Sequence, residues 1–364
     1  MDVVVIGAGI SGLLSAYWLS RNKHVSSLIV FEKRPLNAIP RKHCSGVISR
    51  DTMLRIPYAV KFIENSYNRL KVYVAENLEV ELIFDKNAIY KIDRVAHEKL
   101  LLEVVKERGV EIMLNTNVVD VEKVKNKYRV RGFNVRGGEF DQVIVAEGYP
   151  PNLSRKLNLE SRFNTFKGIQ QEAYLSRKLD CDSVEVLYVY IGRNTKGFAW
   201  LIPVNERRLI VGVASKDNVF GELSLVKRFF EKKLNIEMTK MKDLYGGIVL
   251  RGYPKKLLRG SILGIGDAVA MVKSLSGGGL YPISVTSTVY GENLHKPEVL
   301  NRKTKSIARE LMKQYKLYEL ITRGLKLPRS ILLFSNITAY IGDSYFYDHH
   351  EKILAKAFTT IKFG

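Results

Sequence analysis

Three glycines and one acid near the start of the chain have the types and spacing to hold a dinucleotide. They stand in Gly7-Ala8-Gly9-Ile10-Ser11-Gly12, and Glu32 lies 20 residues beyond the last glycine. Gly7 permits a tight turn, Gly9 lets the backbone approach a pyrophosphate, and Gly12 lets a helix pack closely on a strand. Ile10 and Ser11 open that helix, whose unpaired N–H groups and positive dipole end favour phosphate. Glu32 can accept hydrogen bonds from ribose hydroxyls, and Lys33 and Arg34 follow it in the same turn. An acid here disfavours a 2′-phosphate, so the pattern selects FAD or NAD over NADP.

The elements that must position these residues can be read around them. Residues 2–6 form a continuous apolar β-branched run, as in a buried parallel strand. Leu13, Leu14, Ala16, Tyr17 and Leu19 then follow at helical spacing, and residues 26–31 form a second apolar strand ending on the acid. Far along the chain, another apolar strand at 261–265 runs into Gly266-Asp267-Ala268. After it come Gly277-Gly278-Gly279-Leu280 and a helical stretch at 281–294. Short strands are expected at 110–114 and 117–121, and one at 141–145 leads into Ala146-Glu147-Gly148. Strand alternation at 185–191 and 208–214, a basic amphipathic helix at 223–234 and a periodic helix at 306–321 complete the outline.

The second glycine and aspartate pattern resembles the second FAD fingerprint of the para-hydroxybenzoate hydroxylase-like flavoproteins. The resemblance implies that Asp267 hydrogen-bonds the ribityl chain of FAD. It also implies that Gly266, Gly277, Gly278, Gly279 and Leu280 face the pyrimidine end of the isoalloxazine, where a helix dipole would stabilise the anionic reduced flavin. Residues 90–100 are similar to the family's arginine-containing segment before a long helix, which singles out Arg94. Ala146, Glu147 and Gly148 look like its Ala-x-Gly strand end near adenine and pyrophosphate, with Glu147 where a small or neutral residue is commoner. Val118 and Val119 match the backbone stretch that contacts adenine. The implied fold is α/β: a Rossmann-type FAD-binding domain of the glutathione reductase-2 or para-hydroxybenzoate hydroxylase-like kind, an inserted antiparallel β-sheet substrate domain and a C-terminal helical segment. Expected boundaries are 1–55, 90–150 and 257–296 for the FAD domain, 56–89 and 151–256 for the substrate domain, and 297–364 for the helical segment.

Within that fold the chain most resembles the geranylgeranyl reductase family. Cys44-Ser45-Gly46, preceded by Arg41, Lys42 and His43, looks like that family's Cys-x-Gly segment beside the flavin. Residues 195–203 resemble its Pro-x-x-Tyr-x-Trp-x-Phe-Pro motif, matched at Trp200 and Pro203, with Thr195, Phe198 and Ile202 in place of Pro, Tyr and Phe. The resemblance implies an FAD-dependent reductase that saturates isoprenoid double bonds of membrane-lipid precursors, with hydride from reduced flavin N5 and a proton from a positioned acid. Cys44, His43 and Tyr281 are the candidate acids. Phe198, Trp200 and Pro203, with Cys44, are the candidate substrate contacts, since prenyl chains are selected by shape and apolar surface. The plain alternatives are sheet core for Phe198 and Trp200, and a small buried hydrophobe for Cys44. Inward-pointing Arg41, Lys42 and His43 would make Cys44 more thiolate-like. An aromatic hydroxylase, halogenase or quinone reductase on the same fold would share every FAD motif.

Composition bounds the rest. The 364 residues include 58 Lys plus Arg against 37 Asp plus Glu, a net charge of +21, with 46% hydrophobic and 26% charged residues, which is ordinary for a globular chain. Two cysteines, Cys44 and Cys181, exclude a disulfide scaffold and a cysteine-based metal site, and no metal is expected. No apolar run reaches the roughly 18–20 residues needed to cross a bilayer. The start has no basic n-region, so no signal peptide and a cytoplasmic location are expected, with peripheral attachment to the inner face of the membrane as an extension. Ile331, Leu332, Leu333 and Phe334, near Lys326 and Arg329, could make that contact or cap a substrate tunnel. Basic residues are dispersed and form no nucleic-acid motif, so no nucleic acid is expected. The charge suits anionic lipid first and an acidic ferredoxin as reductant second, with NAD(P)H the other candidate donor.

Overall fold

Val3, Val4 and Val5 are fully buried in strand Asp2–Ile6, as a parallel strand covered on both faces requires. This computed structural model describes residues 1–74, 78–136, 138–192, 197–323 and 336–363. Strand Asp2–Ile6 lies between Gln142–Val145 and Ser27–Phe31, parallel to both. Ile262–Gly264 and Glu111–Met113 extend the sheet in parallel on either side, and a short antiparallel strand, Leu258–Arg259, closes one edge. Helix Ile10–Leu19 connects the first two strands and buries Leu13, Leu14, Ala16 and Leu19 against helices Leu280–Asn293 and Arg94–Glu107. This is the Rossmann-type layer that the glycine pattern requires.

A second, ten-stranded sheet is built mainly from the middle of the chain. Its centre is antiparallel: Ser161–Leu175, Arg208–Ser215, Phe198–Asn205 and Val186–Ile191 pair in that order. Strand parity separates its two faces. Ala199, Leu201, Leu209, Val211 and Val213 pack on Val219, Leu223, Val226 and Phe230 of helix Val219–Leu234. Ile202 and Ile210 belong to a core on the opposite face, with Trp200 packed against it. The helix stops where Asn235 takes a left-handed conformation, φ 49°.

Residues 56–89 divide between two sheets. Arg69–Val74 and Leu78–Phe84 join the ten-stranded sheet, whereas Ile63–Tyr67 pairs with Ile89–Ile92 in a small sheet that also holds Val47–Ser49. The C-terminal region carries the expected helices, Pro297–Arg323, Tyr345–Asp348 and His350–Thr360. It also holds an unanticipated strand, Asn336–Gly342, which pairs in parallel with Leu78–Phe84 and antiparallel with Ile361–Phe363. The reason is period-two burial: Ile337, Ala339 and Ile341 are buried and Tyr340 is exposed. The apolar stretch at Ile331, Leu332, Leu333 and Phe334, with Lys326 and Arg329, lies outside the described residues, as do Thr195 and Lys196.

Candidate active site

The first glycines form a cradle with one open place. Gly7 has φ +108°, and a Cβ there would overlap the carbonyl oxygen of Ala146. A Cβ on Gly12 would overlap the carbonyl oxygen of Gly7, but one on Gly9 would meet no atom within 4 Å. No side chain caps helix Ile10–Leu19, and its first turn holds no acid. Its N–H groups are therefore left for a phosphate. Glu32 is 3% exposed; it accepts hydrogen bonds from the N–H of Ala8 at 2.7 Å and from Arg34 Nε at 2.8 Å. Burial would raise its pKa, but Arg34 and the Ala8 N–H outweigh that and hold it below the usual range. Arg34 is thus tied to Glu32, and Lys33 is exposed.

Two adenine-side expectations are revised. The Glu147 carboxylate accepts hydrogen bonds from Leu153 N at 3.0 Å and Ser154 N at 2.6 Å, so it caps the short helix Asn152–Lys156. That explains an acid where a neutral residue is commoner, and its side chain is committed away from a ligand. Val119 is 40% exposed and its carbonyl accepts a hydrogen bond from Lys156 Nζ at 3.0 Å, whereas Val118 packs against the core. Ala146 stays in the cradle, its N–H bonded to Ile6 at 2.8 Å, and Gly148 turns with φ +77°.

The second fingerprint closes on the first. Gly266, φ +72°, packs so tightly on Ser11 that a Cβ would overlap its hydroxyl. Among the described residues the Asp267 carboxylate is recorded with no hydrogen-bond partner, and burial raises its pKa to about 6 against the opposing charge of Arg94. Gly279 opens helix Leu280–Asn293 without a side-chain cap. Gly277, φ +72°, lies against Val249, and the Gly278 carbonyl accepts the N–H of Lys273 at 2.9 Å. Two uncapped helix starts, an unpartnered aspartate and a glycine cradle between them fit FAD.

Cys44 lines a narrow cleft with Arg41, Lys42, His43, Arg94, Val95 and Glu98. Its Sγ accepts the N–H of Gly46 at 3.4 Å, and Ser45 is partly buried between them. A Cβ on Gly46, φ +79°, would overlap the carbonyl oxygen of Ile92, so this turn needs glycine. Arg94, from a distant helix, places a cation beside the thiol. Arg94 is buried and paired with Glu98, with Nε to Oε1 at 2.8 Å. Burial lowers its pKa, but Glu98 and Cys44 together raise it above its ordinary value. Lys42 instead pairs with Glu172. His43 donates from Nδ1 to the Arg41 carbonyl at 2.6 Å, and desolvation and Arg94 push its pKa down. A neutral ring bonded this way has only an acceptor left at Nε2, so His43 is a poor acid.

One residue joins this cleft to the aromatic strand. Gln170, 2% exposed, accepts from Trp200 Nε1 at 3.1 Å and donates to the His43 carbonyl at 3.4 Å. The Trp200 ring lies on Gly212, where a Cβ would not fit, and stands 5.5 Å from the Phe198 ring. Pro203 is not with them. It is buried at the parity of Ala199 and Leu201, and its carbonyl accepts from Tyr67 Oη at 2.5 Å and Asn65 Nδ2 at 3.0 Å, which is a packing role. Tyr281 Oη is 2.9 Å from His349 Nε2, and burial holds its pKa above the ordinary value. Gln170, Lys273 and Asp348 escaped sequence reasoning. Lys273 and Asp348 form a buried pair at 2.7 Å that ties the loop before Gly277 to the C-terminal region. Gln170 had no distinct signal, because Gln171 and Glu172 follow it directly. The buried pair had none, because its members are 75 residues apart.

Residues 2–99 match the family model described as FAD dependent oxidoreductase. The chain is 22% identical to a digeranylgeranylglycerophospholipid reductase of Methanocaldococcus jannaschii, over 89% of this chain and 85% of that one. It is 26% identical to the protein of the same name from Methanococcus vannielii, over 86% and 80%. Among solved structures, a geranylgeranyl bacteriochlorophyll reductase-like protein of Thermoplasma acidophilum superposes with TM-score 0.71 at 18% identity, covering 98% of both chains. A flavin-dependent brominase shares the fold at TM-score 0.65 and 15% identity, covering 91% and 92%. Among the described residues no helix is long and apolar enough to cross a membrane, and no group of three or more His, Cys, Asp or Glu is placed to hold a metal. The chain is an FAD-dependent oxidoreductase with a mixed α/β fold, similar to proteins named for geranylgeranyl reduction.

Proposed function

We propose that this protein saturates carbon–carbon double bonds in isoprenoid chains of membrane-lipid precursors. The observation that carries the reading is the link through Gln170, which joins the Cys44 cleft to Trp200 and Phe198. The two segments that resemble geranylgeranyl reductases are about 150 residues apart in the chain, and Gln170 is hydrogen-bonded to both. The names of the curated relatives support the same reaction.

The residues divide the work. Residues 1–55, 90–150 and 257–296 carry the FAD cradle, and 56–89 with 151–256 supply most of the sheet that faces it. FAD held there, once reduced by the electron donor, would supply the hydride for one alkene carbon. The Cys44 thiol gives a proton to the other, and Arg94 stabilises the thiolate left behind. Phe198 and Trp200 hold the chain by apolar contact and exclude water. The reductant is NAD(P)H or an acidic ferredoxin, and the net charge of +21 draws the protein to anionic lipid surfaces.

The test is anaerobic. Photoreduced holoenzyme is mixed with a geranylgeranylated glycerophospholipid, flavin reoxidation is followed, and the lipid is analysed by mass. Reoxidation with two hydrogens gained per bond is expected. Failure of every prenyl lipid to reoxidise the flavin overturns the proposal. Oxygen or halogen found in a product would move the protein to the hydroxylase or halogenase class.

A further inference from the structure

Arg251 lies on strand Tyr245–Pro254 and is 6% exposed. Its guanidinium sits over three rings, 4.6 Å from Phe198 and 4.8 Å from both Phe166 and Tyr318. Among the described residues no carboxylate pairs with it, and its Nε is buried with no hydrogen-bond partner. Burial lowers its pKa, and the charge of Tyr318 and a hydrogen bond with its side chain act in the opposite direction. Fully buried arginines are normally paired with an acid, and ring faces replace only part of that stabilisation.

With Tyr318 as a neutral partner and no acid beside it among the described residues, its position gives an anionic partner a setting. The Phe198 ring beneath it is 5.5 Å from Trp200, and Trp200 leads through Gln170 to the Cys44 cleft. The strand also packs on the loop before helix Leu280–Asn293, with Val249 against Gly277. Arg251 therefore stands at the far end of the aromatic stripe from the thiol. The stripe itself is apolar and offers an anion nothing.

We propose that Arg251 is an anion site that takes a phosphate group through its guanidinium. The planar fork of donors suits two phosphate oxygens at once. That the phosphate belongs to a prenyl lipid head group rests on the function proposed above; the anion site itself does not.

Calorimetric titration of the FAD-loaded protein tests this, with geranylgeranyl phosphate, geranylgeraniol and inorganic phosphate as separate probes. Wild type is expected to bind the phosphate ester about tenfold or more tighter than the alcohol. R251M should abolish that difference and leave the alcohol's affinity unchanged, and R251K should keep part of it. Equal wild-type affinities for ester and alcohol overturn the proposal. So does an R251M protein that weakens for both alike, since that marks a packing role. If R251M does not fold, R251K decides: a reduced preference supports the site, and an unchanged one overturns it. If wild type binds neither prenyl probe, the prenyl reading fails separately. Inorganic phosphate bound by wild type but not by R251M would then uphold the site with free phosphate as its source, and no phosphate binding by wild type would overturn it.

Discussion

Gly9 and Gly12 are both glycines of one motif, yet they answer to different demands. A methyl group at Gly9 meets nothing in the protein, so G9A should leave the melting temperature of the apoprotein unchanged and weaken FAD binding about tenfold or more, read by flavin fluorescence. A methyl at Gly12 meets the Gly7 carbonyl, so G12A should lower stability by about 1–3 kcal/mol in a denaturant melt. Asp267 gives a pH signature. Burial raises its pKa to about 6 from the ordinary 3.8, with Arg94 opposing. A folded pKa above the unfolded one means that its contribution is full below the unfolded value and is lost as pH rises through the folded one. Wild-type apoprotein should therefore lose up to ~3 kcal/mol relative to D267N between about pH 4 and 7, measured by urea melts. At this scale the sequence was legible where a residue type has one geometric use, as with Gly7 and Gly12. It was not legible for His43 or Glu147, whose roles depend on the Arg41 carbonyl and on helix Asn152–Lys156.

Two ion clusters hold separate elements together. Glu172 on strand Ser161–Leu175 takes Lys42 from the cysteine segment and Lys242 from beyond the sheet edge. Burial would raise its pKa, but the two lysines bring it down to about 2. Its contribution is thus present above the ordinary 4.5 and lost as pH falls through about 2. E172Q, in a C181S background because Cys181 is exposed, should free the cysteine segment and raise the reaction rate of Cys44 with a thiol reagent several-fold. The Lys273–Asp348 pair is buried on both sides, so K273M should cost about 3–5 kcal/mol in a thermal melt. The double change K273M/D348L should recover part of that loss. Elements with one dominant period were legible: helix Val219–Leu234 and its Asn235 stop, and the strands beside the glycines. Pro203 was misjudged because a motif was taken as a unit, although strand parity sends Trp200 and Pro203 to opposite faces.

For the molecule as a whole, the charge of +21 predicts salt-sensitive attraction to anionic surfaces. Cosedimentation with phosphatidylglycerol vesicles should be strong at low salt, fall away by about 0.5 M, and be absent with phosphatidylcholine. Equal binding to both would show that charge plays no part. The FAD-binding elements were legible because each glycine loop is flanked in the chain by its own strand and helix. The larger sheet was only partly so, since its pairings are long-range and its strands are individually short. Strand Asn336–Gly342 carries this furthest, because Asn336 pairs with Glu79 across 257 residues of chain. During synthesis the edge of Leu78–Phe84 must wait for a partner that the ribosome has yet to make. A nascent chain stalled before that strand would present an open, apolar β-edge, and its solubility would rest on chaperones.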